Sequence, residues 1–167
     1  MADVISMRGN SLKDEEIVGL IELLFFAYRD FVSDPDQILA EFNFGRAHHR
    51  ILHFAGRNPG MTVAQLLEIL GITKQSLSRV LKELIDKGFV YQQEGLEDRR
   101  QRLLFLTAEG EKLQKRLMAP QISRIRRALA EAGPEAQHHY RNVLYHLIDP
   151  ANREDVRNRI EAGKLAG

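Results

Sequence analysis

The chain has 167 residues, 44% of them hydrophobic and 28% charged, with a net charge of +1 and no cysteine. That length suits one packed domain rather than two, and the lack of cysteine excludes disulfides, thiolate metal sites and thiol-based redox sensing. No apolar run approaches the roughly 18 residues of a membrane span, and residues 1–13 lack the basic-then-apolar pattern of a secretory signal, so a cytoplasmic location without membrane contact is expected.

The pattern is mostly helical. Ile17, Leu20, Ile21, Leu24 and Tyr28 recur at helical spacing and predict a first helix over 13–32. Asp34-Pro35 ends it, because the residue before proline is pushed out of the α region. A second helix over 44–57 turns Phe44, Ala47, Ile51, Leu52 and Ala55 inward, and Asn58-Pro59-Gly60 breaks it. Thr62 reads as the N-cap of a short helix, 63–70, stopped by Gly71. Thr73 reads as the cap of another, 74–87, which ends at Gly88. The texture then changes. Phe89-Val90-Tyr91 and Leu103-Leu104-Phe105-Leu106 favour strands, and the polar run 94–100 between them predicts a β-hairpin with a charged tip. Thr107 caps a long helix over 108–132, with Glu109 and Glu111 near its positive end and Pro120 predicting a kink. After Gly133-Pro134 come a last helix, 135–147, and a polar, partly helical tail, 150–167.

Charge is unevenly placed along this frame. Before residue 45, nine acidic residues stand against three basic ones, a balance of −6, so the remainder carries +7. An acidic first quarter and a basic remainder suggest one face for a polyanion, although a mixed solvated surface gives the same totals.

The informative unit is helix, three-residue turn, helix and hairpin, from Thr62 to Leu106. A helix-turn-helix lays its second helix in the DNA major groove. On the helix from Lys74, residues Leu77, Val80, Leu81, Leu84 and Ile85 share one face. Gln75, Arg79 and Lys82 fall opposite, flanked by Ser76 and Ser78. Gln suits adenine and Arg suits guanine as bidentate partners, whereas Lys and Ser more often meet phosphates. An ordinary amphipathic surface helix has the same periodicity; the capped helix before it and the basic hairpin after it favour DNA. The hairpin tip holds Arg99, Arg100 and Arg102, and a narrow minor groove attracts arginine. Asp98 among them is expected to orient an arginine. A solubilising charged turn is the alternative.

The segment ITKQSLSRVLKELIDKGFVYQQEGLEDRRQRLLFLTAEGEKL closely resembles the core of the MarR family. The features that carry the resemblance are Arg79 in the recognition helix, Gly88-Phe89-Val90 at its exit, Asp98-Arg99-Arg100 in the wing, and Leu106-Thr107-Ala108-Glu109-Gly110 leading into a long helix. The match in order covers about residues 44–114. The resemblance implies a mainly α fold with a small β-hairpin wing, a winged helix-turn-helix plus terminal dimerisation helices. Residues 44–107 would read DNA, and 1–43 with 108–167 would form the helical dimerisation region of one intertwined domain. It implies a homodimeric regulator of double-stranded DNA, in most members a repressor, often released by a small-molecule effector or an oxidant. It makes Arg100 the wing-tip arginine and Asp98 its acid. The DNA-contacting set is then Lys74, Gln75, Ser76, Ser78, Arg79, Lys82, Asp98, Arg99 and Arg100. Lacking cysteine, the chain departs from the thiol-sensing members, and it carries no clear anionic-ligand signature.

One winged module covers little DNA, so two half-sites about one helical turn apart are expected. Leu20, Leu24, Leu144 and Leu147, on the terminal helices, are the expected dimer contacts. His48, His49 and His53 cluster on the second helix, and His138, His139 and His146 on the last. His49 and His53, four apart, could share a metal, but no acidic third ligand lies nearby. His48 falls inward, where a hydrogen-bonded core or interface histidine is the simpler reading; protonation near neutral pH is a further use. The basic stretch Lys112, Lys115, Arg116, Arg124, Arg126 and Arg127 reads as a solvated helix face whose early part could touch the DNA backbone. No phosphate loop, nucleophile motif or metal-ligand triad appears, so neither cofactor nor catalysis is expected. A protein-interaction module without specific DNA binding is the competing function.

Overall fold

The computed structural model describes residues 12–165; positions 1–11 of the expected N-terminal dimerisation segment, and the last two residues, lie outside them. In chain order the elements are helices α1 (Asp14–Ser33), α2 (Asp36–Ala40) and α3 (Arg46–Arg57), strand β1 (Met61–Thr62), helices α4 (Val63–Leu70) and α5 (Lys74–Asp86), strands β2 (Val90–Glu94) and β3 (Arg102–Leu106), and helices α6 (Ala108–Ala132), α7 (Ala136–Leu147) and α8 (Arg153–Leu165). The expected class is found: mainly helical, with a small antiparallel sheet.

The caps fix the middle of the chain. Thr62 Oγ1 accepts from the Gln65 amide at 3.1 Å, and Gln65 Oε1 accepts from the Thr62 amide at 2.9 Å, a reciprocal box that starts α4. Gly71, left-handed at φ 59°, closes that helix. Thr73 then starts α5 by accepting from the Ser76 amide at 3.1 Å. Thr107 plays two parts. Its hydroxyl accepts from the Gly110 amide at 3.1 Å and donates to the Gly88 carbonyl at 2.6 Å, tying the start of α6 to the exit of α5. Helix α6 runs unbroken through Pro120.

Two elements were not anticipated. Pro35, expected only to end α1, also leads into the short helix α2, whose Leu39 is buried. The two-residue strand β1 adds a third member to the sheet, in the order β1-β3-β2, pairing Met61 with Leu104 and Thr62 with Leu103. The hairpin itself pairs Val90 with Leu106 and Glu94 with Arg102.

The core gathers Leu39, Ile51, Leu52, Leu66, Leu77, Leu84, Leu104 and Leu117, from α2 through α6. Neither α1 nor α7 buries any residue. The centre is therefore a packed unit that sets α5 beside the hairpin, while both terminal regions leave apolar surface open.

Candidate nucleic-acid interface

Leu77, Val80, Leu81 and Leu84 bury one side of α5. Lys74, Gln75, Ser76, Ser78, Arg79 and Lys82 are all exposed on the other. Ile85 is half-buried at the edge. A groove of about 730 Å³ runs between α4, α5 and the hairpin, and Lys74, Ser78, Lys82, Gln92, Arg100 and Arg102 line it. The structure thus brings four of the nine predicted residues onto one groove: Lys74, Ser78, Lys82 and Arg100. Gln75, Ser76 and Arg79 lie on the same helix outside the groove lining, and Arg99 and Asp98 lie at the hairpin tip.

Sequence reasoning did not place Gln92 in the site, and it took Arg102 for a tip residue. Alternation gave no signal for Gln92, because Tyr91, Gln92, Gln93 and Glu94 are all exposed; only the pairing of β2 with β3, Gln92 opposite Leu104 and Glu94 opposite Arg102, sets their positions.

The tip is a closed turn. The Gly95 amide donates to the Gln101 carbonyl at 3.1 Å, and Arg102 donates to the Arg99 carbonyl at 2.8 Å. Asp98 Oδ1 accepts from the Arg100 amide at 3.0 Å and from Arg100 Nε at 3.2 Å. Those two bonds, the backbone one first, hold the Asp98 carboxyl below the usual carboxylate range. The acid therefore stays ionised and fixes the base of a side chain that is otherwise 93% exposed. Arg79 pairs with Glu83 at 3.1 Å, and Lys82 pairs with Asp86, each one turn further along α5.

The histidines divide into two groups. His48 and His49 are buried in α3, and His53 is half-buried one turn on. His138, His139 and His146 are exposed on α7. Among the described residues, no group of three or more His, Cys, Asp or Glu side chains is gathered to hold a metal. Burial first, then the charges of His49 and Arg57, lowers the His53 pKa to about 4. Its Nδ1 is buried without a hydrogen-bond partner. It borders a cavity of about 740 Å³ between α3, α6 and α8, whose other walls include Arg57, Lys115, Met118 and Arg159.

The remaining feature is apolar. On α1, Leu20 is 53% exposed, Leu24 42%, Phe25 67% and Phe26 55%, while Leu147 at the end of α7 is 62% exposed. Leu144 is half-buried. No helix among the described residues is long and apolar enough to cross a membrane.

Comparison with known proteins gives a consistent picture. The sequence model of the MarR family matches residues 42–101. The HTH-type transcriptional regulator PetP of Rhodobacter capsulatus is 47% identical over 156 residues, which span 92% of this chain and 94% of that protein. A crystal structure of MarR superposes with a TM-score of 0.62 at 21% identity, covering 96% of this chain and 98% of that one. A mutant MarR from E. coli complexed with operator DNA superposes with a TM-score of 0.63 at 18% identity, covering 83% of this chain and 100% of that one.

Proposed function

The chain belongs to the MarR family and is a winged helix-turn-helix transcriptional regulator; from that premise we propose that it acts as a homodimeric repressor on an inverted-repeat operator. The observation that carries this reading is the groove between α4, α5 and the hairpin, which gathers Lys74, Lys82, Arg100 and Arg102 among apolar side chains, beside the exposed polar face of α5. Gln75 and Arg79 present amide and guanidinium groups to major-groove base edges. Lys74, Ser76, Ser78 and Lys82 hold phosphates. Arg100, oriented by Asp98 and accompanied by Arg99, enters the adjacent minor groove, where narrow A·T-rich sequence concentrates negative potential.

The exposed apolar side chains of α1 support the dimer. A helix that exposes apolar side chains on several sides is stable only when another surface covers them. A second copy is the occupant, with α1 and α7 of both protomers burying Leu20, Leu24, Leu144 and Leu147. Residues 44–107 then form the DNA-reading region, and 1–43 with 108–167 the dimerisation region of one cytoplasmic protein. A small-molecule effector would occupy the cavity between α3, α6 and α8. It is lined by helices of both regions, and α3 packs on α5, so filling it would alter how the two recognition helices are set.

The test is selection of duplex DNA from a random pool by purified protein at about 150 mM salt, where non-specific contacts are weakened. Recovery of an inverted repeat with half-sites about one turn apart is expected. A folded dimer that enriches nothing would refute the reading in favour of a protein-interaction module.

A further inference from the structure

Of the three cations on the DNA side of α5, Lys74, Arg79 and Lys82, the last two are paired with acids on the same helix, and they are held differently. Lys82 pairs with Asp86, and both are largely exposed, at 75% and 58%. Arg79 pairs with Glu83, whose other carboxylate oxygen is gripped from inside. His48 Nε2 lies 2.7 Å from Glu83 Oε2, and the His48 side chain is 8% exposed. That imidazole is itself fixed on two sides. Its Nδ1 accepts from the Gly45 amide at 3.0 Å, closing the first turn of α3, and its ring stacks on Phe44 with centroids 4.4 Å apart and planes 13° apart. An Nδ1 that accepts leaves the proton on Nε2, so His48 donates to Glu83. Glu83 then has one oxygen taken by His48 and the other free for Arg79 NH1 at 3.1 Å.

We propose that His48 is a positioning residue for sequence reading: through Glu83 it fixes the Arg79 guanidinium in the orientation that meets a base. The proposal rests on the reading of α5 as the recognition helix. A long arginine side chain loses considerable rotamer freedom on binding, and a carboxylate anchored to another helix removes part of that loss beforehand. The bond spans 35 residues and joins α3 to α5, so it fixes Glu83 relative to the core rather than only to its own helix. Lys82 and Asp86 have no such anchor, in keeping with a phosphate contact that needs charge more than direction.

The test uses full-length protein with the selected operator duplex and a scrambled duplex at one salt concentration. His48→Leu removes the donor, and His48→Gln keeps an amide donor able to reach Glu83. His48→Leu is expected to lower the ratio of operator to scrambled affinity roughly tenfold, the scale of one well-oriented base contact. Scrambled-duplex affinity and its salt slope should not change, and His48→Gln should recover most of the ratio. On an Arg79→Ala background, His48→Leu should lower the ratio no further. Side-chain relaxation of the Arg79 Nε–H in the free protein gives a readout independent of DNA: ordered in the wild type, mobile in His48→Leu, ordered again in His48→Gln. An unchanged ratio overturns the proposal. So does an equal loss on the Arg79→Ala background, a parallel fall on both duplexes such as a purely structural tether would give, or an Arg79 whose mobility ignores residue 48. A wild type that distinguishes no duplex sinks the DNA reading itself and the proposal with it; a selective wild type with an indifferent His48→Leu sinks only the proposal.

Discussion

Replacing Phe25 by alanine should weaken dimerisation severely while leaving the protomer's own packing almost untouched. Phe25 is 67% exposed in the single chain, so of roughly 200 Å² for a phenylalanine side chain about 130 Å² remains to be covered by a partner. At about 25 cal/mol per Å² that is roughly 3 kcal/mol per ring. Two-fold symmetry places two such rings in one dimer, for an upper figure of roughly 6 kcal/mol. Even half of that raises the dimer dissociation constant more than about 100-fold. Sedimentation equilibrium over a dilution series measures the constant directly. Operator titration should lose affinity in step, because a monomer holds only one half-site. A dissociation constant within about twofold of wild type would refute the argument: α1 would then have to be covered by something other than a second copy.

Four further outcomes are expected. Arg100→Ala should weaken binding most at operators with A·T-rich flanks, measured by competition between flank variants, since the narrow groove there rewards arginine; equal loss on every flank would contradict minor-groove reading. Lys82→Ala should lower the slope of log affinity against log salt by about one per site without changing the preferred sequence. Gly110→Ala should cost about 3 kcal/mol, seen by calorimetry as a fall of about 10 °C in Tm, because an added Cβ would sit 2.0 Å from the Phe89 carbonyl oxygen and force α6 away from the hairpin. His53 has a folded pKa of about 4, below its usual 6.5, so the unfolded chain takes up the proton first as pH falls. Stability should therefore drop by about 2 kcal/mol between pH 7 and pH 5, and His53→Gln should flatten that slope in denaturant titrations at the two pH values.

What the sequence made legible was local. Thr62, Thr73 and Thr107 are caps whose partners lie three residues away, so α4, α5 and α6 start where the hydroxyls predict. The outward face of α5 was readable because 3.6-residue periodicity decides it without reference to any neighbour. The missed features depend on partners far along the chain. Strand β1 has two residues, too few to alternate, and exists only because β3 offers it a free edge. Helix α2 has five residues and is held by burying Leu39 in a core built from later elements. Gln92 enters the groove through the register of β2 on β3, which sequence spacing alone does not fix. His48 was read as an inward histidine, yet its partner on α5 could not be, because periodicity gives a face and not the group opposite it.

The acids on α5 then make physical sense. Glu83 and Asp86 beside a DNA surface would repel phosphates if they stood alone. Each instead holds a cation one turn back on the same helix. An exposed pair of this kind contributes at most about 1 kcal/mol, so Lys82 can leave Asp86 for a phosphate at little cost. The free protein thereby keeps its cations from making stray contacts without forbidding the right ones. Arg79 differs in one respect: its acid is bound to a buried imidazole and is held in place, so a guanidinium that contacts DNA while still paired would be aimed from a fixed point. A group that keeps its carboxylate during binding offers only its remaining N–H donors, in one orientation. That restriction favours a base edge over a phosphate, whose oxygens accept from many directions. On this argument the two cations, three residues apart on one helix, divide the work: Lys82 supplies salt-sensitive affinity and Arg79 supplies choice of sequence.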